Sequence, residues 1–359
     1  MSAELELSGS ESVERNKTDF KKAVKECAVF QEPDAAVSTR QLLNTFLPFF
    51  LLLVAAYLSL DYSLLLSLLL SSLAGGFMLR IFMIQHDCGH GSFFKSRKAN
   101  EAVGTLCSLF TLIPYHYWRR QHAIHHSSNG NLDHRGHGDV DLYTVREYLG
   151  LSKWARLKFR VARNPLLFLL FGPFWLLFGM NRFVFDKKKT SKREQRSVYI
   201  TNAFALTVFV LLGLLFGFWK VFLVAAPVFL VASAVGIWLF YMQHQFEHTY
   251  WQKDQDWDYF EAAIKGSTFY KLPRILDWIT ASIGYHHIHH LMPSIPNYNL
   301  RPCADNNPHF QEETHTITLL SGFRALSLAL WDEEQQRLIS FREVRKRYLS
   351  DSPLTAHRG

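Results

Sequence analysis

Histidine is concentrated in four short segments of this chain, and those segments hold most of its 17 histidines. Two segments, HDCGH and HQFEH, each place two histidines four residues apart. The other two, HAIHH and HHIHH, each repeat histidine with the spacing i, i+3 and i+4. On a helix, this spacing puts the imidazoles on one face. The histidines with this spacing are His86 and His90; His122, His125 and His126; His244 and His248; and His286, His289 and His290.

The chemistry that this pattern indicates is metal binding, because neutral imidazole is the commonest metal ligand in proteins. Eight or more imidazoles exceed what a single four-coordinate zinc ion can use, so two metal ions are predicted. Imidazole-rich sites suit iron, copper or zinc, and the spacing alone does not choose among them. The four cysteines form no CxxC pair, which argues against a thiolate zinc site and a disulfide framework.

Four long apolar runs predict the elements that position these histidines. They cover about residues 42–60, 62–84, 197–219 and 221–243. At 1.5 Å per residue, helices of this length cross a hydrocarbon core of roughly 30 Å. The runs come in two closely linked pairs, which predict two transmembrane hairpins. The apolar segments 102–115 and 165–180 are expected to be interfacial or re-entrant, the first because it is too short to span and the second because basic residues flank both of its ends.

Lysine and arginine predict the orientation. The links at Asp61 and Lys220 carry one basic residue between them, whereas residues 80–196 carry many. By the positive-inside rule, the histidine-bearing ends of the spans and both termini are cytoplasmic. The polar start of the sequence has no basic and apolar leader pattern, so we expect no cleaved signal peptide. A metal transporter or a membrane cytochrome would need ligands within the spans, and the span interiors have no Asp, Glu or His.

The predicted fold class is therefore an all-α integral membrane protein. It comprises four transmembrane helices in two hairpins, interfacial helices, and a cytoplasmic helical cap that holds a dimetal site. The domain prediction is a polar N-terminal segment over 1–40, a membrane-bound catalytic domain over 41–310, and a helical C-terminal tail over 311–359. Helical periodicity over 319–347 predicts that this tail packs on the cap.

The boxes HDCGH, HAIHH and HHIHH, together with the two hairpins, resemble the membrane-bound fatty acid desaturase family. The similarity covers about residues 40–310. The segments HDCGHGSFF, GDVDLYT, MQHQFEHTYW and YKLPRILDWITASIGYHHIHHLMPSIPNYNL look like the acyl-lipid branch of omega-6 or delta-12 type. This resemblance implies a di-iron centre, molecular oxygen as co-substrate, and insertion of a cis double bond into an acyl chain.

The resemblance also implies a ligand set. The eight histidines of the three boxes are its expected metal ligands: His86, His90, His122, His125, His126, His286, His289 and His290. Related enzymes use a further histidine at the end of the last span, and His248 takes that position here. His244 replaces an asparagine of the related enzymes and is expected to bind directly or through water. The side chains that could orient the ligands, or could equally be surface polar residues, are Asp87, Gln121, Asp139 and Glu247.

No haem-binding donor domain with an HPGG-type motif is fused to the desaturase-like region. Electrons are therefore expected from a separate protein such as ferredoxin with its reductase. The net charge of +8 suits an acidic donor or anionic lipid headgroups, although ordinary positive-inside bias would also produce it. We expect no nucleic-acid partner and a bacterial plasma membrane location. Fatty acyl hydroxylases and carotenoid ketolases share the histidine plan, so they remain alternatives.

Overall fold

A computed structural model of the protein describes residue 18 and residues 21–136 and 141–349. The helices, in chain order, are α1 (Ala35–Ser59), α2 (Leu64–His90), α3 (Arg97–Thr111), α4 (Tyr115–Ser128), α5 (Val145–Gly150), α6 (Lys153–Ala162), α7 (Pro165–Trp175), α8 (Lys192–Phe216), α9 (Phe218–His244), α10 (Tyr259–Lys265), α11 (Arg274–Ile279), α12 (His286–Leu291), α13 (Asn297–Asn306), α14 (His309–Glu313), α15 (Leu319–Ala325) and α16 (Phe341–Val344). Short 3-10 turns cover Ala28–Gln31 and Asp254–Asp256, and π-helical turns cover Leu176–Met180 and Arg345–Leu349. The strands are β1 (Tyr143–Thr144), β2 (Thr268–Tyr270), β3 (His315–Ile317), β4 (Leu328–Asp332) and β5 (Arg337–Ser340).

Four of these helices, α1, α2, α8 and α9, are long and apolar enough to cross a membrane. They carry large exposed apolar side chains, of which Leu65 is 78% exposed and Leu215 is 73% exposed. Apolar surface of this extent belongs against lipid rather than water. The predicted fold class, a helical integral membrane protein with four spans and a histidine cluster, is thereby confirmed.

The two hairpins follow from local sequence signals. The Asp34 carboxylate caps α1 by accepting from the backbone N–H groups of Ala36 and Val37, and the Ser63 hydroxyl caps α2. A single residue, Gly217, separates α8 from α9. Its φ of +85° is a backbone conformation that residues other than glycine rarely adopt. Lys220 Nζ lies 2.6 Å from Asp61 Oδ1, so an ion pair joins the two hairpin turns.

The central helix α2 packs against α1, α3 and α9 and is the most buried of the four spans. It continues six residues beyond the predicted end at residue 84, to His90, and is capped by Gly91, which has φ +76°. This extension places the first histidine box on the last turns of the span. Within the span, the guanidinium of Arg80 donates to Thr45 Oγ1 and to the Trp278 carbonyl, and it stacks on the Trp278 ring. Arg80 thereby ties the cap to the membrane domain.

The segment 165–180 lies on α7 and the π-helical turn after it, and α6 and this pair are bent by 74° across their break. Its interfacial or re-entrant placement stays a prediction, as does that of 102–115, which lies mainly on α3. The predicted helical tail is wrong for residues 328–340, where β4 and β5 pair antiparallel and β1 pairs parallel with β4. Leu330, Leu338 and Ile339 are fully buried in this small sheet. Buried residues are consecutive in both strands, which fits short buried strands and not the one-sided periodicity of the helix that the sequence suggested.

Candidate metal centre

Four helix ends converge on one buried point at the end of the spans. The last turns of α2 carry His86 and His90, and α9 ends at His244. The short helix α4 contributes His122, His125 and His126, and α12 contributes His286, His289 and His290. The spacing i, i+3 and i+4 is realised on α4 and α12, so three imidazoles of each helix point the same way.

The convergent imidazoles form two groups, and within each group the ligand atoms lie within 4.8 Å of one another. One group of five contains His86, His90, His122, His126 and His289. The other group of four contains His125, His244, His286 and His290. The fold therefore brings the eight box histidines and His244 into two groups, one of five and one of four.

The nitrogen separations within the groups have the spacing of a coordination polyhedron. His286 Nε2 lies 2.9 Å from His244 Nε2 and 3.1 Å from His290 Nε2. His126 Nε2 lies 3.1 Å from the Nε2 atoms of both His122 and His289. Nitrogens bound at about 2.1 Å to one ion are separated by about 3.0–3.4 Å in octahedral or tetrahedral geometry. The spacing thus fits a shared cation in each group.

Hydrogen bonds set the tautomers of two of these rings. His86 Nδ1 lies 3.2 Å from the Asp87 carboxylate, and His244 Nδ1 lies 3.1 Å from the Gly266 carbonyl. Each Nδ1 therefore carries the proton and donates it, which leaves Nε2 as a bare lone pair facing the centre. His244 Nε2 nevertheless contacts two other Nε2 atoms, those of His125 and His286, at 3.2 and 2.9 Å. A cation bound between them would satisfy these converging lone pairs.

Burial keeps the cap histidines neutral and available as ligands. Desolvation lowers the pKa of His122, His126 and His289 well below the usual value, and neighbouring imidazoles lower it further. The pKa values of His286 and His290 fall for the same reasons. His90 Nε2 is buried without a hydrogen-bond partner, which is a costly arrangement unless an ion binds it. The donor set therefore fits two metal ions of the kind that imidazole prefers, iron among them.

Asp87 connects α2 to α13. One of its oxygens faces His86, and Oδ2 accepts two hydrogen bonds of 2.7 Å, from the backbone N–H and the side-chain amide of Asn297. Asn297 in turn accepts from Gln41 on α1. The sequence singled out Asp87 as a candidate for orienting an imidazole, and this network gives it the geometry to do so.

The other residues that the sequence singled out lie elsewhere. His248 is exposed and outside both groups, because α9 ends at His244 and the chain leaves helical geometry at Gln245. The two histidines of HQFEH therefore do not share a helix face, and His244, not His248, joins the centre. Glu247 is exposed and pairs with Arg337 at 2.7 Å. Gln121 is half-buried on α4, and Asp139 lies outside the described residues.

Sequence reasoning missed Asn297, Gly266 and Trp118. The Trp118 ring stacks on His122 with centroids 4.7 Å apart and an interplanar angle of 17°. It packs against Gly89, where an added Cβ would lie 2.9 Å from the indole. The spacing of Trp118, one turn before His122 on α4, was the available signal. No local signal marks Asn297 or Gly266, because both reach the centre through tertiary contacts.

The comparisons with known proteins agree with this centre. The family model described as "Fatty acid desaturase" matches residues 63–319. A relative from Bacillus subtilis (strain 168) named "Fatty acid desaturase" is 43% identical over 325 residues, which cover 90% of this chain and 92% of the relative. Two proteins of Synechocystis sp. (strain ATCC 27184 / PCC 6803 / Kazusa) are more distant. Its "sn-1 acyl-lipid omega-3 desaturase (ferredoxin)" is 29% identical over 63% of this chain and 62% of that protein, and its "sn-1 oleoyl-lipid 12-desaturase" is 27% identical over 61% and 62%.

Proposed function

The chain belongs to the membrane-bound fatty acid desaturase family, and from that membership we propose that it is an oxygen-dependent di-iron desaturase that introduces a cis double bond into a lipid-linked acyl chain. Its family and its four spans make it a desaturase-family oxidoreductase of lipid metabolism that is integral to a membrane. The metal identity, the oxygen dependence and the acyl-lipid substrate are the parts that we propose.

The observation that carries the proposal is the division of nine histidines into two adjoining groups. Two half-sites of five and four ligand atoms suit two ions better than one. We propose that the first ion is held by His86, His90, His122, His126 and His289, and the second by His125, His244, His286 and His290. We assign His248 no ligand role, because its side chain is exposed.

Iron bound in these half-sites would supply the redox chemistry that removes hydrogen from an unactivated acyl chain, and the protein supplies the rest. Asp87 and the Gly266 carbonyl fix the orientation of His86 and His244 through their Nδ1 protons. Burial excludes water from the centre, since seven of the nine rings are buried. Exclusion of water and fixed geometry are the two requirements for selective hydrogen removal.

The substrate is proposed to approach from the bilayer. Phe240 lies one turn before His244 on the membrane side of α9, and its ring contacts the rings of His125 and His244 at centroid distances of 5.3 Å. Phe82, one turn before His86 on α2, packs against Trp118. The centre is therefore apolar toward the spans, as an acyl chain requires. The names of the Synechocystis relatives favour a glycerolipid-linked chain.

An external one-electron donor is proposed, because one of the Synechocystis relatives bears "ferredoxin" in its name. A ferredoxin with its reductase is the simplest such system. We also propose a bacterial plasma membrane location with the histidine centre and the termini on the cytoplasmic side, in accordance with the distribution of lysine and arginine.

The test is fatty acid analysis of a host that supplies suitable acyl chains, ferredoxin and reductase. Expression should produce a new cis-unsaturated fatty acid in membrane lipids, and His125→Ala or His289→Ala should abolish it, because each removes a ligand from a different half-site. His248→Ala is the matched control and should keep the product. Hydroxylated acyl chains or oxidised carotenoids as the only products would contradict desaturation, and so would the absence of any product with a working donor system.

A further inference from the structure

A strongly basic surface lies beside the histidine centre, at the starts of α3 and α8 and on the first half of α4. We define this basic surface as residues 97–101, 119–120 and 186–196, all of them described. These residues contain ten basic and three acidic side chains, a surplus of seven positive charges in a chain whose net charge is +8. Nearly all the net charge of the protein is thus concentrated in one place.

The three segments form one continuous surface, since ion pairs connect them. Glu101 Oε2 lies 2.8 Å from the guanidinium of Arg193, which joins α3 to α8, and Glu101 Oε1 lies 3.9 Å from Arg119 on α4. Glu194 lies 3.5 Å from Arg120. Glu101 and Glu194 are engaged in these contacts, and Asp186 lies 3.9 Å from Lys189. The side chains of Lys187, Lys188 and Lys192 are exposed.

We propose that this basic surface is the docking site of the electron donor, a small acidic protein that carries one electron on an iron–sulfur cluster, and that Trp118 is the entry point for the electron. The proposal rests on the proposed function, because only a redox centre needs such a partner. Long-range attraction between a surface of one sign and a partner of the opposite sign speeds encounter and fixes orientation.

Trp118 gives this surface a direct route to the centre. It precedes Arg119 and Arg120 in the chain, so the basic surface begins at the next residue of the same helix. Its ring stacks on His122 at 4.7 Å and lies 5.8 Å from His86, and both belong to the five-histidine group. Each transfer would oxidise the donor by one electron and reduce one metal ion of the centre by one electron, with Trp118 unchanged.

The alternative occupant of a basic surface at a membrane protein's cytoplasmic end is an anionic lipid. Lipid-binding surfaces interleave exposed apolar side chains with cations, and α6 has that pattern with Trp154, Leu157 and Val161 exposed. Residues 186–196 (DKKKTSKREQR) contain no apolar side chain. The composition of the basic surface therefore suits a hydrated protein partner, while α6 suits the lipid surface.

The experiment measures binding of a plant-type ferredoxin of net negative charge to the full-length metal-loaded protein in detergent, at low and high salt. The variant Lys187→Gln/Lys188→Gln/Lys192→Gln should weaken binding by about tenfold at low salt and reduce its salt dependence. Lys153→Gln/Lys158→Gln/Lys253→Gln removes the same charge from exposed lysines on other elements and should bind as the wild type does. Equal weakening in both variants, or weakening in neither, would overturn the docking site.

Two further measurements separate the parts of the proposal. Trp118→Leu at saturating ferredoxin should lose donor-driven reduction of the metal while it keeps bound metal and reduction by dithionite, and Trp118→Phe should restore part of the rate. Unchanged donor-driven reduction in Trp118→Leu would exclude Trp118 as the entry point. If the lysine variant instead loses binding to anionic vesicles and keeps ferredoxin binding, the surface is a lipid site. If the wild-type protein makes unsaturated lipid in the host but the lysine variant binds ferredoxin as the wild type does, the proposed function stands and only this inference is removed.

Discussion

Replacement of Asp87 by asparagine tests how the centre is oriented. The carboxylate accepts on both oxygens, from His86 Nδ1 at 3.2 Å and from two donors of Asn297 at 2.7 Å each. An asparagine has one acceptor oxygen, so in either amide orientation its NH2 group must face a donor. The variant loses a charge-assisted hydrogen bond, of about 1.5–3 kcal/mol, and gains a donor–donor contact. Removing such an outer partner of a ligand costs about 10- to 100-fold in metal affinity.

The assay is metal retained per chain during titration with a competing chelator, with thermal unfolding as the control for folding. Asp87→Asn should lose metal from the five-histidine group at 10- to 100-fold lower chelator than the wild type. Glu247→Gln is the matched control, because Glu247 contacts Arg337 and no ring of the centre, and it should behave as the wild type does. Retention of both metal ions by Asp87→Asn at wild-type affinity would refute the reasoning.

Three other predictions follow from the same geometry. His244→Ala should lose metal from the four-histidine group and His248→Ala should not, as measured by elemental analysis, and equal loss from both would contradict the site. Gly217→Ala should destabilise the second hairpin by about 1–3 kcal/mol because of its φ of +85°, whereas Gly150→Ala, in open space with an ordinary φ, should leave the melting temperature nearly unchanged. A cysteine at position 61 should react with an impermeant reagent from outside intact cells, and one at position 188 should not. The background should be low, because the native cysteines are buried. External labelling at position 188 would contradict the orientation.

The spans and the histidine clusters could be predicted from the sequence because their signals are local. Apolar runs of about twenty residues have few structural alternatives, and the i, i+3, i+4 spacing of HAIHH and HHIHH specifies a helix face. The division of the histidines into groups of five and four could not be predicted, since His125 and His126 are neighbours in the chain and lie in different groups. Only the packing of α4 between the other helices separates them.

His248 lies outside both histidine groups for a definable reason. HQFEH has helical spacing, but the helix ends at its first histidine, so His248 turns away while His244 is held by the Gly266 carbonyl. Helix ends are the least certain feature of any sequence-based prediction. The helix prediction for the C-terminal tail was wrong for a similar reason, because the strand signal of residues 328–332 is short and is flanked by residues that favour helices. Both differences from the sequence-based expectation lie where tertiary contacts override local preference.

Iron analysis of the purified protein is the most direct test of the central claim that the two histidine groups hold a di-iron centre. We expect about two irons per wild-type chain and about one in His244→Ala, because that variant removes a ligand of one half-site only. A single tightly bound zinc ion with no iron in the wild type would contradict it.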